Sequence, residues 1–362
     1  MYKQGHLKKR FSRRTTLLPA TVLIALLSAG ATFAQASTTS LETLQAQFAK
    51  GDFKSVSSSL ESKNDKTPEE FSLLVSALMN QDLDDAEESA EDFISHYSKD
   101  YRAYHMHASV MGAQASNSIF SALGYAEKAK NSLEKAVEVA PEKIEVYLAL
   151  MQFHLVAPSI AGGDSDEAKR LVDKITEMDT TEGQFARARF LLSEDDEQQA
   201  ITIYKKLAQE SDSNVRASLE LGTYYLSEES YDNAFQSLYP LMSHELAPVD
   251  KSESAEWQTY QQNKSRLLYG KYRIGLIAVK SGEKTQEGIS ALQQYLTDLK
   301  TTSIDTVDLP SADWANLRLA ELLMNNNELS EAQTTLASIS QSGDDRFNNI
   351  LKTLKKKIKK QI

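Results

Sequence analysis

Cysteine is absent from the 362 residues, which excludes disulfide frameworks, cysteine–zinc centres and thiol nucleophiles. Proline (7) and glycine (14) are scarce; an all-β chain of many tight turns needs more of both. Beyond residue 36 no apolar run reaches 18 residues, so no later segment is expected to span a membrane. Gly-x-Ser-x-Gly, Walker A and Gly-x-Gly-x-x-Gly motifs are missing, and with them the usual signs of acyl transfer and nucleotide binding. His105 and His107 are two residues apart and point to different faces of a helix, so they make no His-x-x-x-His metal pair. Nothing assembles a nucleophile, a base and an orienting group. The chain therefore reads as non-enzymatic, with no cofactor and no metal.

Residues 1–36 are a class apart. They hold Lys3, Lys8, Lys9, Arg10, Arg13 and Arg14 and no acid. An apolar stretch from Leu17 to Ala34 follows, then Ala34-Gln35-Ala36. A basic flank, a short apolar core and a small-x-small site describe a secretory signal peptide. Cleavage is expected after Ala36, with the protein in the periplasm. Without these six bases, 34 remain against 51 acids, a net of −17, compared with −11 for the whole chain. Such a surface repels phosphate backbones, which argues against nucleic-acid binding.

What is present is a repeat. Leu221, Gly222, Tyr225, Tyr231, Ala234 and Leu238 fall at positions 7, 8, 11, 17, 20 and 24 of a unit in which Gly222 is position 8. This spacing resembles the tetratricopeptide repeat, two antiparallel helices in about 34 residues. Positions 8 and 20 are small because the helices cross closely there. The position-20 residue recurs as Val56, Ala86, Ala129, Ala168, Ala200, Ala234, Gly288 and Ala332, at intervals of 30 to 54 residues. The resemblance implies an all-α solenoid of about eight helical hairpins over residues 37–343. Longer intervals place linkers at Ser243–Ser254 and Thr301–Ser311, with a long helix from Trp257 to Val279 between them. Residues 344–362 carry Phe347, Ile350, Leu351, Leu354 and Ile358 at helical spacing, with acids first and lysines last. That pattern suits a basic amphipathic capping helix, or a helix making peripheral contact with anionic lipid.

Two surfaces are candidates for function. The first is a loop, Ala157-Pro158-Ser159-Ile160-Ala161-Gly162-Gly163-Asp164. Pro158 stops a helix, Gly162 and Gly163 permit an unusual turn, and Asp164 caps the next helix. It resembles a loop of the form A-P-x-I-A-G-G in exported bacterial tetratricopeptide proteins and, more loosely, the helical T-component of TRAP solute transporters. The second is the concave groove. In the tetratricopeptide family positions 5, 9 and 12 of each first helix face it. The resemblance carries these onto Leu148, Gln152 and Leu155, onto Phe185, Arg189 and Leu192, onto Leu219, Thr223 and Leu226, and onto Leu317, Glu321 and Met324. Arg189 is the lone cation among them, so the groove is expected to suit an amphipathic helix. The resulting reading is a periplasmic scaffold or adaptor for a protein or peptide. The alternative is an accessory, ligand-holding component of a solute transporter.

Overall fold

The computed structural model describes residues 35–49, 51–118, 120–252, 254–306, 308–340 and 344–361, with side chains from residue 41 onward. The expected signal peptide falls almost wholly outside the described residues.

Among the described residues all regular structure is helical, in seventeen α-helices and two short 3₁₀ turns. The first sixteen form eight antiparallel hairpins. α1 (Gln35–Ala49) pairs with α2 (Phe53–Glu61), and α3 (Pro68–Met79) with α4 (Leu83–His96). α5 (Tyr101–Asn117) pairs with α6 (Ala122–Val139), and α7 (Ile144–Val156) with α8 (Ser165–Met178). α9 (Thr180–Ser193) pairs with α10 (Glu197–Leu207), and α11 (Asn214–Ser227) with α12 (Tyr231–Leu238). α13 (Ala255–Ser281) pairs with α14 (Thr285–Thr301), and α15 (Ala312–Asn325) with α16 (Leu329–Ser338). α17 (Asp345–Ile358) follows. Each second helix packs on the first helix of the next hairpin, and most first helices touch their successors. The chain is thus an α-solenoid, a one-dimensional stack in which each unit buries the apolar face of its neighbour.

The residues expected at the helix crossing explain the stacking. Val56, Ala86, Ala129, Ala168, Ala200, Ala234, Gly288 and Ala332 all sit on second helices and all are buried. One turn further, the larger Leu60, Leu133, Tyr204, Leu238, Leu292 and Leu336 are also buried. A Cβ on Gly222 would lie 2.4 Å from Leu238 Cγ, so the small residue in α11 is what lets α12 approach.

Caps fix the helix starts. Asp82, Asp164, Asp179, Asp196, Ser254 and Ser311 each accept a backbone N–H from the first turn that follows, which satisfies donors the helix leaves free. The α13 start also reaches the early hairpins. Gln258 lines the same depression of about 750 Å³ as Tyr97, Arg102 and Lys143, and Lys251 lies 3.8 Å from Glu42 on α1. The array therefore curves, bringing the segment before α13 back toward the first four hairpins. α17 lays Phe347, Leu351, Leu354 and Ile358 into the core of the last hairpin, with Lys355, Lys356 and Lys357 in its last turn. No helix among the described residues is long and apolar enough to cross a membrane.

Candidate functional site: the first-helix face

The loop between α7 and α8 is built as an unusual turn. α7 ends at Val156, a 3₁₀ turn covers Ser159–Ala161, and Gly162 has φ +90°. A Cβ on Gly163 would sit 1.8 Å from the carbonyl oxygen of Ala157, so only glycine fits. Asp164 Oδ1 accepts the Glu167 N–H at 3.1 Å. The helix start is therefore occupied by the chain's own carboxylate. Pro158 and Asp164 are exposed, and Gly162 and Gly163 half-buried. Beside this turn, Ile160 and Val156 stand exposed, as do Phe120 and Leu123 at the α5–α6 connection.

The twelve groove positions separate into two groups. Gln152 is exposed, and Leu148, Leu155, Arg189, Leu192, Thr223 and Glu321 are partly exposed. Phe185, Leu219, Leu226, Leu317 and Met324 are buried. Leu219 and Leu226 pack with Leu267, Ile274 and Ile277 of α13. Phe185, Leu219, Leu226, Leu317 and Met324 therefore do not face an open groove as the resemblance implied. α13 packs on α11 through Leu219 and Leu226, which are part of the core between the sixth and seventh hairpins.

What the first helices share instead is charge. Glu220 on α11 receives Arg189 of α9 through Nη2 at 2.6 Å and Nε at 3.0 Å. It also accepts Arg216 Nε at 2.9 Å and the Tyr204 hydroxyl at 3.1 Å. Arg216 reaches back to Glu182 of α9, with Nη2 donating at 2.9 Å, and its guanidinium lies 3.8 Å from the Phe185 ring centroid. Burial alone would raise the Glu220 pKa, but the two arginines outweigh it and hold the carboxyl at about 2. Charge-assisted, two-pronged contacts of this kind are the strong ones.

The pattern continues along the stack. Arg273 Nη2 donates to the Tyr269 hydroxyl at 2.7 Å, and its guanidinium sits 4.6 Å from that ring. Arg318 lies 5.4 Å from the Trp314 ring and donates to Glu321 at 3.0 Å. Both pairs have aromatic and arginine four residues apart, so they share one helix face. Arg266, one turn before Tyr269, donates to Asn263 at 2.9 Å. Burial and the nearby charge of Arg216 press its pKa down to about 10. Arg189 is the lone cation among the twelve positions, but Arg216, Arg266, Arg273 and Arg318 also lie on the first helices α11, α13 and α15. The four were missed because they fall outside positions 5, 9 and 12. The repeated spacings Tyr269–Arg273 and Trp314–Arg318 were the available signal.

No family model matches the chain, and no curated protein does. Among solved structures the chain is similar to a thermophilic tetratricopeptide protein of Thermus thermophilus. The two share 19% identity over 50% of this chain and 97% of that one, with a TM-score of 0.41. It is also similar to a chain of the anaphase-promoting-complex hetero-tetramer Cut9–Hcn1, at 17% identity over 83% of this chain and 52% of that one, TM-score 0.36. A third is NprR in complex with its cognate peptide NprX, at 12% identity over 90% of this chain and 99% of that one, TM-score 0.34. The solenoid assignment rests on this chain's own register and packing.

Proposed function

We propose that the protein is a non-enzymatic scaffold or adaptor that binds a protein or peptide partner on its first-helix face. One observation carries this reading. Three consecutive first helices, α11, α13 and α15, each bring an arginine over an aromatic ring: Arg216 on Phe185, Arg273 on Tyr269 and Arg318 on Trp314. Arginine and aromatic side chains are the types that dominate binding energy at protein interfaces, and stacking holds them in place before a partner arrives. Gln152, Thr223, Leu148, Leu155 and Leu192 extend the same layer of helices. The Pro158–Asp164 turn, with the apolar side chains beside it, is a second contact surface at one edge. The signal-like leader supports export, removal of residues 1–36 and work in the periplasm. α17 would then close the stack, with its lysine-rich end available for peripheral contact.

The test is site-specific photo-crosslinking in cells. A photoreactive residue at Gln152, Thr223 or Leu192 is expected to give a discrete protein adduct. One at Lys174, on the outer helix α8, is expected to give none. Adducts confined to Lys174 would reject the first-helix face. N-terminal sequencing of the cell-envelope form is expected to begin at Ser37; recovery of Met1 would reject export with cleavage.

A further inference from the structure

We infer that the first-helix face of the C-terminal half is a cationic cradle for an acidic peptide segment, with Arg266 as the anchor for a side-chain carboxylate. The inference deepens the scaffold reading and rests on it.

The first ground is charge. The chain as a whole carries a net −11. Along α9, α11, α13 and α15 the balance is reversed locally. Arg189, Arg216, Arg266, Arg273 and Arg318 are matched by three carboxylates, Glu182, Glu220 and Glu321. A positive strip in an acidic protein steers anions to that place, because their attraction elsewhere is reversed in sign.

The second ground is which cations stay unmatched. Arg189 and Arg216 are balanced by two carboxylates, Glu220 and Glu182. Arg273 has a phenol for a partner, not a carboxylate. Arg266 has a side-chain amide, and among the described residues no carboxylate lies within ion-pair distance of it. Its guanidinium is partly buried, and burial with the charge of Arg216 outweighs the more distant carboxylates of Glu220 and Glu182. An arginine so placed is an expense to folding, since burial of an unpaired charge is unfavourable. An incoming carboxylate relieves that penalty, and the guanidinium fork donates two parallel hydrogen bonds to it.

The third ground is the shape of what fits. Arg266, Tyr269 and Arg273 follow each other on α13, with Trp314 and Arg318 on α15, the next first helix. Charge alternates with aromatic surface over these helices. A segment in which Asp or Glu alternates with apolar residues matches that alternation, whereas a purely apolar or a basic segment does not.

The full chain, immobilised, is panned against a random twelve-residue peptide library displayed on phage with no free peptide C-terminus. Recovered peptides are expected to be enriched in Asp and Glu over the unselected library. A recovered acidic peptide, synthesised and labelled, is expected to bind Arg266→Gln about tenfold or more weakly than the parent, which is the scale of one charge-assisted contact. It is expected to bind Arg187→Gln, altered at an exposed arginine on α9, unchanged. Circular dichroism confirms that both variants are folded. Peptides recovered without acidic enrichment, or equal affinity in Arg266→Gln, overturn the cradle and leave the scaffold reading intact. Recovery of no peptide above background counts against the scaffold reading itself, and the cradle falls with it.

Discussion

Gly222 and Leu238 are in direct contact across the sixth hairpin, where a Cβ on the glycine would come within 2.4 Å of the leucine. The two residues set the spacing of α11 and α12. Because Leu238 is wholly buried, it has little room to withdraw. Gly222→Leu and Ala234→Leu are each expected to cost about 1–3 kcal/mol by overpacking. Asp232, exposed on α12, is expected to tolerate Asn with a change within about 0.5 kcal/mol. Urea denaturation ranks the three. Asp232→Asn as the most damaging would mean that the helices cross elsewhere.

Glu220 makes stability depend on acid. Its folded pKa, about 2, lies below the ordinary value of 4.5, so the folded state binds its proton less readily than the unfolded state. The contribution is fully present above pH 4.5 and is lost as pH falls from there toward 2. Glu220→Gln removes that dependence. It also leaves Arg189 and Arg216 sharing a neutral group, a loss of about 3 kcal/mol for a broken, partly buried pair. Thermal midpoints taken between about pH 7 and pH 3 are expected to converge for parent and variant as pH falls. A gap that stays constant across that range would remove Glu220 as the titrating group.

Leu226 shows where sequence reasoning stopped. The position-20 residues were legible because a close approach favours a small side chain, and each of them lies on a second helix. The long helix and both linkers were legible from the longer intervals between repeats. Which first-helix positions face solvent was not. That depends on which side chains the next hairpin brings against them, and Leu267, Ile274 and Ile277 of α13 pack with Leu219 and Leu226. The arginine network was hidden for a related reason. Arg216 and Glu182 are 34 residues apart, and nothing local marks them as partners until the hairpins are stacked.

The burial of Leu226 turns its replacement into a test of folding. At 6% exposure, Leu226→Asp places an uncompensated carboxylate against α13 and is expected to cost several kcal/mol. The helical circular dichroism signal of the variant is expected to melt at a lower temperature than the parent's. Thr223→Asp, three residues away and partly exposed, is expected to leave the melting curve nearly unchanged. If both variants behave alike, α13 does not cover this face in solution.

The turns between paired helices give a last, independent check on the backbone. Asp195, Glu229 and Asn327 take positive φ values of 61°, 56° and 62° between the first and second helices of their hairpins. A left-handed residue reverses the chain there so that the second helix folds back at once. Asparagine and aspartate visit this region readily, whereas glutamate has no short side chain to support it. Glu229 is exposed, and its backbone N–H bonds to the Leu226 carbonyl at 3.3 Å, a contact that glycine would keep. Glu229→Gly therefore relieves strain without removing a side-chain contact from the core. The larger entropy of glycine in the unfolded chain offsets part of the gain, leaving an expected stabilisation of about 0.5–1 kcal/mol. Asn327→Gly starts from a residue that already accepts the geometry, so its gain is expected to be smaller. Differential scanning calorimetry of the two variants separates these outcomes. Destabilisation by Glu229→Gly would mean that the turn between α11 and α12 takes a different path from the one described.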